Sequence, residues 1–350
     1  MIAAEPDKSE ISANLNTSLR QAFIWSESEA VDKQHEQTNA SGCGATVILN
    51  VLKALNHPFD YESVCAQVKI NQRIPESLAS ATTLAQYLFS RSVAGMNAAE
   101  LIQNIENVTQ NKVSGRFFAF YPPRDINLTQ WLIYWIHKGA IPSALLNLQK
   151  FSVWGYVPDA WHHQMVYACD SDSVYLTNPL ESKSIDAIMT ELTSDSVLLV
   201  RSSDVIKRFN ANSSSLVELV SMSRHSAREK KRWFDMNVLG QCLSVLRDYK
   251  SKSESSAANL SSVLNSSLSM LRENEIENGE GNNEDEPANY YELNAAFSLN
   301  TTSAYNPSIT HISIPASYVP GITLFAYRES SLFREIMSAC ELPLAQANLK

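Results

Sequence analysis

The chain has 350 residues, 44% of them hydrophobic and 19% charged, with a formal net charge of -9. That length suits one large domain or two modest ones, and the acidic balance excludes a general nucleic-acid binder, which needs a basic surface. No run approaches the roughly 18 apolar residues of a membrane span, and the opening Met1-Ile-Ala-Ala-Glu-Pro-Asp-Lys8 lacks the apolar core of a secretory signal.

Five cysteines stand at positions 43, 65, 169, 242 and 340. Their odd number, wide spacing and lack of a Cys-x-x-Cys pair argue against a disulfide framework or a zinc knuckle. Reduced thiols fit a reducing compartment, so a cytoplasmic protein with no membrane association and no cofactor is expected. Cys65, Cys169 and Cys340 lie in apolar contexts and read as core residues.

Residues 1–20 are polar and aperiodic and read as a disordered arm. A helix is expected over 43–55, apolar on most sides and stopped by Asn56 with Pro58 beyond. Thr82–Ser92 and Asn97–Ile105 have helical periodicity, and Arg116–Tyr121 reads as a strand ended by Pro122-Pro123. Asn127–His137 places Leu128, Trp131, Leu132, Trp135 and Ile136 on one helical face, closed by Gly139. The pattern then turns to β. Ser143–Leu148 is a strand, Gln164–Cys169 and Val174–Thr177 form a hairpin about Asp170-Ser-Asp-Ser173, and Val197–Val200 follows a helix over 184–192. Helices first and antiparallel strands after make an α+β domain over 21–203.

Beyond it, Ser203–Met222 and Ala227–Tyr249 read as helices of an extension over 204–250, whose basic run Arg228–Arg232 reads as a solvated face. Residues 251–305 are rich in Ser, Asn and Glu and read as a disordered linker. Strands at His311–Pro315 and Gly321–Tyr327 and a helix over 331–340 then return. This tail, 306–350, is too small to hold a core alone and is expected to pack back on the first domain.

The chemistry concentrates around Gln37-Thr-Asn-Ala-Ser-Gly-Cys43-Gly44. A cysteine at a helix amino end sits in the positive potential of unpaired N–H groups and the macrodipole, which favours the thiolate. A Gln six residues earlier can donate to an oxyanion formed beside the sulfur. Such a nucleophile needs a base and a group to orient that base. Of seven histidines, only His162 and His163 open an expected strand, and Asn178-Pro179 closes the hairpin partner of that strand. Antiparallel pairing therefore makes His163 and Asn178 neighbours. Taken singly, each residue has a plainer reading: a core thiol, a surface amide, a structural imidazole. The order and spacing together point to a site.

Gln-(six residues)-Cys-Gly at a helix start, followed by His-strand-turn-strand-Asn-Pro, resembles the papain-like cysteine peptidase superfamily. It is closest to the branch of bacteriocin leader peptidases, the C39-like peptidases. Lys138-Gly-Ala-Ile-Pro-Ser-Ala-Leu145, a strand entry before the histidine, is similar to that branch as well. The resemblance spans about residues 30–200 and implies a papain-like fold. It assigns Cys43 as nucleophile, His163 as general base and acid, Asn178 as the orienting residue, and Gln37 with the Cys43 amide as the oxyanion hole. Two positions depart from the branch: Ala45 stands where Pro is common, and Asn178 where Asp is frequent. Side chains alternate along a strand, so only one of the two histidines points into a cleft. The resemblance favours His163, whose offset to the small-residue position at Cys169 matches the family better, with His162 as the alternative.

The expectation is a cysteine-dependent hydrolase, a thiol protease acting on peptide or protein substrates. Two alternatives stand beside it: an acyltransferase on the same triad, with an amine resolving the thioester, and a catalytically inactive papain-like interaction module. Asp170-x-Asp172 is explained by its turn, and neither a phosphate-binding Gly-rich loop nor a metal-spaced His/Cys cluster is evident.

Overall fold

The computed structural model describes residues 20–78, 81–151, 158, 160–209, 219, 227–252 and 310–345. The expected arm, most of the expected linker and the later part of the expected helix over 203–222 lie outside them. In chain order the elements are β1 (Gln21–Phe23), α1 (Glu27–Lys33), α2 (Cys43–Ala54), α3 (Tyr61–Gln67), α4 (Leu84–Val93), α5 (Ala98–Val108), β2 (Val113–Ala119), α6 (Leu128–His137), β3 (Ile141–Asn147), β4 (Trp161–Asp170), β5 (Ser173–Leu176), β6 (Glu181–Ser184), α7 (Ile185–Leu192), β7 (Val197–Arg201), α8 (Ser202–Arg208), α9 (Ala227–Asp235), α10 (Val238–Lys252), β8 (His311–Pro315), β9 (Gly321–Tyr327) and α11 (Ser331–Ser338).

The helix starts follow from side-chain caps. Asn97 and Glu100 form a capping box at α5, Asn127 accepts the Gln130 N–H at α6, and Ser184 accepts the Ala187 N–H at α7. Helix α1 opens on a Ser26–Glu29 capping box.

The chain divides into two compact units. The first comprises Met1–Arg73, Val93–Ser196 and Ser317–Lys350. Its antiparallel sheet runs β2-β9-β3-β4-β5-β6, with β1 paired to the far end of β4. Strand β4 is the spine. It pairs with β3 over 161–165, then with β5 over 166–169 past a bulge between Val166 and Ala168, and with β1 over 168–170. Strand alternation divides the core into two layers. Ile141, Met165, Tyr167 and Phe325 pack with Val47, Ile48, Val51 and Leu52 of α2. Ala144, Leu146, Val166 and Leu324 pack with Leu132 and Ile136 of α6, Ile188 of α7 and Ile336 of α11. Helix α2 is buried from Cys43 to Leu52 except at Ala45, so it is apolar around most of its girth. This is a mixed α/β unit with an antiparallel sheet, the coarse class expected.

The expected boundaries at 21–203 and 306–350 differ from this division. Residues 317–345 supply β9, which lies between β2 and β3, and α11; β8 belongs to the other unit, as do residues 74–92.

The second unit comprises Ile74–Ser92 and Val197–Ala316. Strands β7 and β8 pair antiparallel, and Gln241 of α10 both accepts the Ser313 N–H and donates to its carbonyl, as a neighbouring strand would. The buried Arg208 guanidinium lies 3.6 Å from the centre of the Tyr87 ring, and the Tyr87 hydroxyl donates to Asp204. The single helix expected over 227–249 is two: Asn237 takes a positive φ of 47° and its carboxamide oxygen accepts the Gly240 N–H, which ends α9 and starts α10. Among the described residues, no helix is long and apolar enough to cross a membrane.

Candidate active site

Cys43 is the first residue of α2, and its N-cap is Gly42, which has no side chain to satisfy the first-turn N–H groups. The cysteine is 6% exposed. Gly44 is required for packing, because a Cβ there would run into the Met96 side chain. Tyr318 closes the same corner. Its hydroxyl donates to the Ala94 carbonyl, and its ring lies 5.7 Å from that of Trp161, tilted by 33°. Burial first, and then its nearness to the Cys43 sulfur, push the Tyr318 phenol above its ordinary range, so sulfur and phenol lie within electrostatic reach.

The loop before α2 is held by two buried amides. Asn50, fully buried two turns into α2, accepts the His35 N–H at 2.6 Å, donates to the His35 carbonyl at 3.2 Å and donates to Thr177 Oγ1 at 3.3 Å. Asn178 then meets Gln37: its Oδ1 accepts the Gln37 N–H at 2.9 Å, and its Nδ2 donates to Gln37 Oε1 at 3.4 Å. The Asn178 N–H donates to Gln34 Oε1 at 3.0 Å, and the residue takes a φ of 58°, a left-handed conformation that Asn tolerates. With Gln37 Oε1 accepting from Asn178, its Nε2 is the donor end of the carboxamide.

The paired histidines part company. His163 points to the α2 face with Met165 and Tyr167. It is 2% exposed, and its Nε2–H donates to the Met96 carbonyl at 2.9 Å. Burial, offset in part by that carbonyl and reinforced by His162, lowers its pKa to about 4. His162 is half-buried, and its Nε2 lies 2.6 Å from the Asn178 main-chain carbonyl. A carbonyl only accepts, so Nε2 carries the proton and Nδ1 the lone pair. His162, Gln37 and Pro179 border one cavity of about 680 Å3.

Of the residues expected to converge, Gln37 and Asn178 touch directly, and Cys43 opens the helix that follows Gln37. The expected bond from the Asn178 carboxamide to His163 is not made: that carboxamide serves Gln37, and the Asn178 carbonyl serves His162. Gln34, Asn50, Met96 and Tyr318 were not foreseen. Asn50 left a trace in the sequence as the one polar residue in Thr46–Leu52 beyond its opening threonine. Among the described residues no group of three or more His, Cys, Asp or Glu side chains is placed to hold a metal ion.

No family model matches the chain, and no curated protein sequence does so. Among solved structures, that of a proposed C39-like peptidase from Bacillus anthracis aligns with 49% of this chain and 92% of its own length, at 14% identity and a TM-score of 0.33. At that likeness the functional reading rests on the residues themselves.

Proposed function

We propose that the protein is a cysteine-dependent hydrolase acting on peptide bonds, with Cys43 as nucleophile and Gln37 as oxyanion donor. The observation that carries the reading is the hydrogen-bonded run Gln37–Asn178–His162, whose two ends border one cavity and whose first member leads into the buried amino end of α2. The base we assign is His162. The sequence favours His163, and strand alternation puts that ring on the face that packs with α2; it is nevertheless sealed, committed to Met96 and held neutral to about pH 4. His162 is half-buried, lines the cavity beside Gln37 and has its tautomer set by the Asn178 carbonyl.

In this scheme His162 Nδ1 takes the Cys43 thiol proton, and the thiolate attacks the substrate carbonyl carbon. Gln37 Nε2 and the Cys43 N–H hold the oxyanion. The tetrahedral adduct collapses, the C–N bond breaks, and His162 returns its proton to the leaving amine. Water, deprotonated by His162, then attacks the thioester and releases the acid and the thiol. Asn178 orients both partners, the imidazole by its carbonyl and Gln37 by its carboxamide.

The test is a set of single variants. Cys43→Ala abolishes peptide turnover and labelling by iodoacetamide at that site. His162→Ala abolishes turnover, whereas His163→Gln retains it; the reverse result moves the base to His163. Asn178→Gly keeps the left-handed backbone and the carbonyl bonded to His162 while removing only the carboxamide. It lowers kcat by about 10- to 100-fold, a little under the loss of a whole oxyanion donor, and leaves the acid limb of the kcat/KM profile in place. Product formed only with an added amine, and no hydrolysis, would make the enzyme an acyltransferase on the same residues. No labelling of Cys43 in the wild type at neutral pH, where only the exposed Cys65 and Cys340 would then react, and no turnover under either condition would leave a binding module.

A further inference from the structure

The cavity beside His162 runs on to β6 and along α7 as far as Glu191, where three charged side chains, Glu181, Lys183 and Glu191, line it. Lys183 Nζ lies 2.7 Å from both oxygens of Glu191, with the two side chains 13% and 4% exposed, so this pair is neutral within itself. Glu181 is different. Its side chain is 34% exposed, and the Lys183 ammonium stands off at 3.8 Å. One oxygen of Glu181 accepts the Gln164 Nε2–H at 2.8 Å, and the fully buried Gln164 is fixed in turn by the Thr177 carbonyl at 3.2 Å. Gln164 sits two residues after His162 on β4 and on the same face, so one strand sets the position of the imidazole and the bearing of the carboxylate.

We propose that this cavity is the substrate-specificity pocket and that Glu181 selects a cationic side chain, Arg or Lys, on a peptide next to the scissile bond. The proposal rests on the peptidase reading above and deepens it. Lys183, the one Lys or Arg among the described residues of the wall, is bonded to Glu191 through both carboxylate oxygens. An acidic side chain would therefore meet Glu181 with no answering charge, and a long apolar one would bury the Glu181 carboxylate against hydrocarbon. A guanidinium or ammonium completes the pairing, and its methylene stem lies along Leu148, Pro158 and Ala187. A cavity of about 680 Å3 is of the size that takes a peptide side chain together with part of its neighbours.

The full-length protein is assayed on matched peptides that carry Arg, Lys, Gln, Leu or Glu at one position, scanned across both sides of the bond. At one position Arg and Lys exceed Gln in kcat/KM by about tenfold or more, the scale of one part-buried charge contact. Glu181→Asp keeps that preference, Glu181→Gln reduces it to within about threefold, and Glu181→Arg shifts it to Glu. Far-ultraviolet circular dichroism and a melting curve establish that each variant folds. Cleavage by the wild type with no charge preference, or a preference that survives in Glu181→Gln, overturns the pocket while leaving the peptidase reading intact. If the wild type cleaves nothing, the peptidase reading has failed, and the pocket is judged by binding. Fluorescence anisotropy of the Cys43→Ala protein should then show the Arg peptide binding about tenfold tighter than its Gln counterpart. Equal binding of the two rejects the pocket.

Discussion

His162 and His163 are adjacent in the chain and opposite in chemistry, because a strand turns neighbours to different faces. The sequence brought the pair to one strand start but did not separate their roles; that took the burial of one ring and the carbonyl partner of each. The neutral burial of His163 has a thermodynamic consequence. Its folded pKa is about 4, with burial as the first cause, against an ordinary value of 6.5. Between those values the unfolded chain binds a proton that the folded chain refuses, so folding stability is full above pH 6.5 and falls as the pH drops toward 4. A shift of that size corresponds to about 3 kcal/mol. Urea unfolding at pH 7.5, 5.5 and 4.5 should show this loss, and His163→Gln, which can still donate to the Met96 carbonyl, should flatten the pH slope in that window. An unchanged slope in the variant would place the proton uptake elsewhere.

At the scale of elements, what was legible followed local rules. Helices α5, α6 and α7 begin within a residue or two of the expected starts, because Asn97, Asn127 and Ser184 cap them through their own side chains. The hairpin of β4 and β5 was legible in Asp170, whose carboxylate accepts the N–H groups of Asp172 and Ser173 and the Tyr175 hydroxyl. The break between α9 and α10 was not, because a left-handed Asn237 is a local choice that helical periodicity continues across. Nor was the use made of Asn50, whose three bonds reach residues 15 and 127 positions away. That side chain fastens α2 to the loop entering Gln37 and to Thr177, next to Asn178. Asn50→Leu fills the same space but leaves the His35 N–H and carbonyl without their partner, and each buried polar group so orphaned costs about 1–3 kcal/mol. The expected result is a loss of roughly 2–4 kcal/mol in urea unfolding. If Gln37 is the oxyanion donor, kcat falls beyond what the unfolded fraction accounts for. A variant as stable as the parent would show that the loop is held by other contacts.

For the molecule as a whole, the decisive feature is one that local pattern does not encode. Strand β9 was recognisable as a strand, yet nothing in its residues says that it lies between β2 and β3, two strands about 200 positions earlier. It pairs with β2 from Val113↔Tyr327 to Ala119↔Gly321 and with β3 from Ile141↔Phe325 to Leu145↔Gly321. Gly321 is dictated by that neighbourhood, since a Cβ there would strike the Phe118 carbonyl. Ile322 and Leu324 enter one core layer and Phe325 the other. A fragment ending at residue 203 would therefore leave β2 and β3 with open edges and both layers with missing side chains. Losing those three buried side chains removes on the order of 6 kcal/mol of apolar burial, a large part of the net stability of an ordinary domain. Fragment 1–203 should lack a cooperative unfolding transition and near-ultraviolet circular dichroism, and should bind a hydrophobic dye that the full chain excludes. Joining residues 317–350 to its end through a flexible linker should restore the transition, because the added segment carries β9 and α11. A fragment 1–203 that melts cooperatively by itself would show that the sheet closes without its inserted strand, and would return the boundary of the candidate enzyme to the position the sequence first suggested.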